Sequence, residues 1–202
     1  MEIKEEKKNL SRDRKRESRS NESSTVNGVM YVLITKEHAE MTFRKSKKSK
    51  ATVKMYLPEK VRINGIEFGS KIISEYSDKF MKEVIGEEPI DMNKLNNKQY
   101  TRSKEAQINN GILYIMKELG YSFGIKQTKK TKCTERLVKI TNITTPYGEI
   151  IETKQLEKIG KEFSRYIEEM FGREITIDIT NENIPNIGEY YLDYMNSINN
   201  KC

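Results

Sequence analysis

The chain has 202 residues, 35% of them hydrophobic and 33% charged, with a formal charge of +7. That length suits one domain of about 150 to 175 residues with a modest core, and the charge favours anionic partners while leaving the fold open. Two cysteines, Cys133 and Cys202, and one histidine, His38, exclude a disulfide framework, the common Cys/His zinc sites and two-histidine chemistry.

The opening segment "MEIKEEKKNLSRDRKRESRS" has no apolar stretch of the kind a secretory signal needs. The longest nearly apolar run, "VMYVLI", is far shorter than a membrane span. The expectation is therefore a cytoplasmic protein with no membrane contact. Residues 1–27 hold eight basic and six acidic side chains and almost no large apolar ones. Such a composition cannot offset its ordering entropy, which predicts a disordered, solubilising tail.

From Gly28 to 202 the pattern predicts a single α+β domain: a small N-terminal antiparallel sheet, then helices, then a second short sheet. "VMYVLI" reads as a buried strand. "MTF" and "TVKMYL" read as hairpin partners, with Val53, Met55 and Leu57 alternating against Lys54 and Tyr56 as on a half-wet sheet. Asn64-Gly65 between two apolar runs is a strong hairpin signal. These strands make residues 28–69 a β-hairpin region.

Residues 70–143 read as helices plus a basic hairpin. A helix over 71–85 carries Ile72, Ile73, Tyr76, Phe80 and Val84 on one face, with Ser70 as its cap and Gly86 as its stop. A short helix follows at 91–97. A third helix, 102–119, has Ile108, Ile112, Ile115 and Leu119 as its stripe, with Gly120 behind it. "YSFGIKQ" and "ERLVKITNI" then read as strands. Residues 144–202 read as helix, strand and helix: Thr153 to Phe171, the alternating "EITIDIT" with Ile175, Ile177 and Ile179 inward, and a closing helix at 187–198.

Two clusters of positive charge fall at hairpin tips. Arg44, Lys45, Lys47, Lys48, Lys50, Lys54 and Lys60 stand against Glu59 alone, and Lys126, Lys129, Lys130, Lys132, Arg136 and Lys139 against Glu135 alone. Phosphates attract such clusters and release counterions on contact. A solvated turn would carry similar charges, but the last 31 residues are net negative, so the charge is distributed to one side.

Opposite the stripe of the 102–119 helix lie Ser103, Ala106, Gln107, Asn110, Tyr114 and Lys117. Gln and Asn amides bond adenine bidentately, and small neighbours permit close approach, so this face is a candidate for base readout. It could equally pack against another element. The order helix, short helix, helix, basic hairpin across 71–143 resembles a winged helix-turn-helix. That resemblance implies a third helix in the DNA groove and a wing on the backbone.

Two weaker features complete the reading. Glu152 and Lys154 in "EIIETK" resemble part of the PD-(D/E)xK nuclease pattern, which implies a metal held by carboxylates and a lysine on developing charge. Glu135 is the one upstream acid near a strand start, and a strand-to-helix junction explains the same residues. Cys133 has basic neighbours that favour its thiolate, but no base accompanies it. No Gly-rich phosphate loop occurs.

The function expected is non-catalytic nucleic-acid binding, with DNA slightly favoured over RNA, no enzyme activity, no metal or other cofactor and no small-molecule substrate. Binding to an acidic protein surface is the alternative, and a metal-dependent nuclease the third reading. The Lys-, Asn- and Ile-rich composition suits a phage or plasmid protein.

Overall fold

The computed structural model describes residues 2–45, 53–126, 137–172 and 174–184. In chain order it contains helix α1 (Glu2–Glu37), strands β1 (Glu40–Arg44), β2 (Pro58–Ile63) and β3 (Ile66–Phe68), and helices α2 (Ser70–Phe80) and α3 (Asn97–Glu118). Strands β4 (Ser122–Lys126), β5 (Lys139–Thr144) and β6 (Ile150–Glu152), helix α4 (Thr153–Phe171) and strand β7 (Thr176–Ile179) follow. The class is α+β. One antiparallel sheet has the order β3-β2-β1-β7, the other β4-β5-β6, and one apolar cluster runs through both sheets and all four helices.

The N-terminal region departs most from expectation. Residues 2–37 form one helix, about 54 Å long at 1.5 Å per residue, where the sequence predicts a disordered tail and a strand. The run Val29 to Ile34 is buried at every residue, so it is a helix enclosed on all sides. A short apolar run of this kind has no period that separates it from a buried strand. The preceding turns are held by close approach rather than by apolar bulk. A Cβ at Gly28 would collide with the Leu156 carbonyl, and one at Gly160 with the Ser24 carbonyl, so α1 and α4 touch backbone to backbone. Buried Ser24 donates to the Ser20 carbonyl at 2.7 Å. Serines and glycines that look like a solvated linker are thus a packing face. At the other end of α1, His38 takes a left-handed φ of 52° and the Ala39 amide returns to the Leu33 carbonyl, the arrangement that ends many helices.

β1 pairs with β2 (Met41 opposite Val61) and, on its other edge, with β7 (Met41 opposite Ile179). Residues 53–57 are therefore not the partner of β1, and the alternation read there is reversed: Tyr56 is the buried residue while Val53, Met55 and Leu57 are half-buried. Asn27 of α1 explains this. Its amide nitrogen donates to the Lys54 carbonyl at 2.7 Å and its oxygen accepts from the Tyr56 amide at 2.8 Å, replacing the strand partner these groups lack. The Asn64-Gly65 hairpin forms as predicted, with φ values of 52° and 78° joining β2 to β3.

α2 widens into a π-helical turn over Met81–Ile85 and stops at Gly86, φ 77°. Its N-cap is Gly69, with Ser70 the first helical residue. α3 begins at Asn97, five residues before the predicted start, because Asn96 and Gln99 form a reciprocal capping box. α4 has the predicted bounds, although Glu152 rather than Thr153 is its N-cap. In β7, Ile177 and Ile179 are buried, but Ile175, expected inward with them, precedes the strand and is 67% exposed. The predicted helix at 187–198 lies outside the described residues. No described helix is long and apolar enough to cross a membrane.

Candidate nucleic-acid interface

The first basic tip grows from the β1–β2 end of the larger sheet. Its root is fastened to the start of β7 and to the end of α4: the Lys45 amide donates to the Ile175 carbonyl at 2.8 Å, and Lys45 Nζ donates to the Gly172 carbonyl at 3.2 Å. Most cations of the root have carboxylate partners. Arg44 meets Glu59 at 3.5 Å, Lys54 meets Glu168 at 3.0 Å and Lys60 meets Glu67 at 3.7 Å. Lys47, Lys48 and Lys50 lie outside the described residues.

The second tip grows from the β4–β5 hairpin, and its root is different. Lys126 and Lys139 stand directly opposite one another across the two strands, both exposed. No ion pair joins either of them to a described carboxylate. Like charges directly opposite on one sheet face repel one another, and no described carboxylate relieves that repulsion. Lys129, Lys130, Lys132, Cys133, Glu135 and Arg136 lie outside the described residues.

α4 sets the spacing of the two roots. At its N-terminus the Thr153 hydroxyl donates to the carbonyls of Ile140 (3.1 Å) and Thr141 (2.5 Å) in β5. At its C-terminus Lys45 binds Gly172. The roots are therefore not gathered on one patch but stand at opposite ends of a 19-residue helix, about 28 Å apart along its axis.

The face of α3 assigned to base readout is internal. Gln107 is 7% exposed, Asn110 0% and Tyr114 6%, and each has a partner within the protein. Gln107 accepts from Lys104 at 3.2 Å, Asn110 contacts Met81 Sδ at 3.6 Å, and Tyr114 donates to Glu83 at 2.9 Å. Burial first, and then the Glu83 carboxylate, push the Tyr114 hydroxyl up to about 12. Every residue from Asn109 to Met116 is buried. The cause is α2: a Cβ at Gly111 would collide with the Ile73 carbonyl, so the small and amide side chains permit helix-to-helix approach. The expected order of helix, short 3-10 turn (Met92–Lys94), helix and hairpin is present. Yet α3, in the place of a recognition helix, has its middle enclosed and cannot enter a groove with these three residues. An acidic protein partner would find no exposed contact patch there either.

Sequence reasoning missed what the first three turns of α3 do. With Met55, Tyr56 and Leu57 they line an open groove of about 320 Å³ next to Arg44, to which α3 contributes Tyr100, Thr101, Lys104, Glu105 and Ile108. Tyr100 is 47% exposed. The Asn96…Gln99 pair was the available signal for this earlier start. Tyr56 itself turns inward, its hydroxyl 3.3 Å from Glu168. Burial, reinforced by that carboxylate, raises its ionisation well above the usual tyrosine range.

The E-x-K pattern is split by the strand-to-helix junction. Glu152 ends β6 and caps α4 with Gln155, while Lys154 lies in the first turn of the helix; the two do not share a strand. Among the described residues no three acidic, His or Cys side chains converge on a metal-binding position. His38 is an exposed residue that ends α1. The chain matches no protein-family model, no curated protein and no solved structure.

Proposed function

We propose that the protein is a non-catalytic nucleic-acid-binding protein that grips phosphates at its two basic hairpins, with duplex DNA the preferred partner. The observation that carries this reading is the Lys126–Lys139 pair. Two exposed lysines stand opposite one another across a strand pair, and neither is paired with a described carboxylate. A phosphate between them would turn that repulsion into two charge-assisted contacts.

The spacing of the roots favours an extended polyanion. About 28 Å along α4 corresponds to roughly eight phosphate intervals at 3.4 Å along one strand. Because Gln107, Asn110 and Tyr114 are internal, the contacts are to backbone rather than base edges, and binding should be only weakly selective for sequence.

Fluorescence anisotropy with duplex DNA, single-stranded DNA and RNA, at about 50 mM salt, tests the reading. Submicromolar binding, tightest for duplex DNA, is expected. Absence of binding to all three would overturn it and leave an acidic protein surface as the partner to seek.

A further inference from the structure

The exposed part of α1 carries charge on one face in a way that the totals for the segment conceal. Residues 5–19 are all solvent-exposed, and none of them makes an ion pair or side-chain hydrogen bond to another described residue. Over residues 1–27 the charge is nearly balanced. Wound into a helix, it separates. Lys8, Arg12, Lys15, Arg16 and Arg19 recur at i, i+4, i+7, i+8 and i+11, within an arc of about 100° at 3.6 residues per turn. Glu6, Asp13 and Glu17 recur at i, i+7 and i+11, about 130° round the helix from the centre of that arc, and Lys7 and Arg14 stand off the arc on the opposite flank. Glu5 is the one described acid within the basic arc, at its outer end.

We propose that residues 5–19 of α1 form a basic helical arm that docks along duplex DNA. The proposal rests on the nucleic-acid reading for its class of partner and adds a contact element separate from the hairpins. Three properties select that partner. Leu10 is the only large apolar side chain between residues 5 and 19, so the arm has no apolar stripe for a protein groove or a partner helix. No aromatic residue lies in it, so it has nothing on which single-stranded bases could stack. A helix about 10–12 Å wide fits a major groove about 12 Å wide, with walls of phosphate.

The fold also explains why such an arm holds its shape. An isolated polar helix of this length is marginal in water because nucleation is costly. Here the enclosed turns from Val26 to Ile34 supply the nucleus, and the arm extends it outward.

The test uses the full chain and a short duplex of arbitrary sequence, with anisotropy measured between about 50 and 200 mM salt. One variant neutralises the basic face (Lys8→Gln, Arg12→Gln, Lys15→Gln, Arg16→Gln, Arg19→Gln). A second neutralises the acidic face (Glu6→Gln, Asp13→Asn, Glu17→Gln), and a third deletes residues 5–18. Tm should show an unchanged core in all three, since the altered residues are exposed, and circular dichroism should change only in the deletion, by the helical turns removed. The basic-face variant and the deletion should flatten the slope of log K against log salt by about 4, near 0.9 per lost phosphate contact. The acidic-face variant should bind more tightly. If the wild type binds and the basic-face variant and the deletion match its affinity and slope, the arm is not a contact and the hairpin reading stands alone. If the wild type binds no duplex at the lowest salt, the arm proposal falls, and with it duplex DNA as the preferred partner.

Discussion

Gly160 of α4 lies against Gly28 of α1 so closely that a Cβ on Gly160 would stand 2.7 Å from the Gly28 nitrogen and collide with the Ser24 carbonyl. Both neighbours are backbone atoms, which cannot move aside as a side chain can. On an open helix Gly→Ala would stabilise by up to about 1 kcal/mol through propensity. Here the sign reverses: Gly160→Ala should destabilise by about 1–3 kcal/mol, read as a lower urea midpoint at unchanged m. A stabilised variant would mean that the α1–α4 crossing is wider than described.

Asn27 is predicted to matter more than a polar residue in a tail should. It satisfies the Lys54 carbonyl and the Tyr56 amide from one side chain. Asn27→Leu leaves the Tyr56 amide without that partner, at a cost of about 1–3 kcal/mol, while the Lys54 carbonyl keeps only a 3.4 Å bond from the Ser164 hydroxyl. Hydrogen exchange at the Tyr56 amide should accelerate in this variant.

Gln107 and Asn110 should act on stability and not on sequence preference. Gln107→Ala and Asn110→Ala are expected to lower Tm while leaving the ratio of affinities for two unrelated duplexes unchanged. Their neighbour Asn109 gives a contrasting test. It is 1% exposed and neither of its side-chain polar atoms has a partner among the described residues. Asn109→Leu, nearly isosteric, should be neutral or stabilising; a loss above about 2 kcal/mol would mean that a partner exists.

Alkali should unfold the protein through its buried tyrosines. Tyr114 ionises near 12, raised chiefly by burial and then by Glu83. Tyr56 beside Glu168 and Tyr121 beside Glu37 are pushed up in the same sense. Below about pH 10, the ordinary tyrosine value, both folded and unfolded chains keep these protons and the contribution to stability is complete. Above it the unfolded chain ionises first, so stability falls as pH rises through the folded values. Tm measured from pH 8 to 12 should be level with respect to these groups up to about 10 and then drop, and Tyr114→Phe should make the drop shallower.

Much of the scaffold was legible because its signals are local. The stripe Leu156, Ile159, Phe163 and Ile167 marks α4, Asn64-Gly65 marks its hairpin, and Ile177 with Ile179 marks β7. What failed depends on partners distant in sequence. Ser24 reads as part of a solvated tail and Gly28 as the start of the domain until Gly160 is placed against them, and Gln107 and Asn110 read as a wet face until the structure encloses them. Of the candidate site, the basic roots were legible from charge alone. The facing of Lys126 and Lys139 needed the strand register, and the charge separation along residues 5–19 needed the helix.

The pair Lys126 and Lys139 offers the most direct test of nucleic-acid binding. We would compare the wild type with the Lys126→Gln, Lys139→Gln double variant on duplex DNA from about 50 to 200 mM salt. The account predicts weaker binding at every salt concentration and a log–log slope shallower by about 2, from two lost phosphate contacts. A double variant with the wild-type affinity and slope would contradict the claim that phosphate is held between these two lysines.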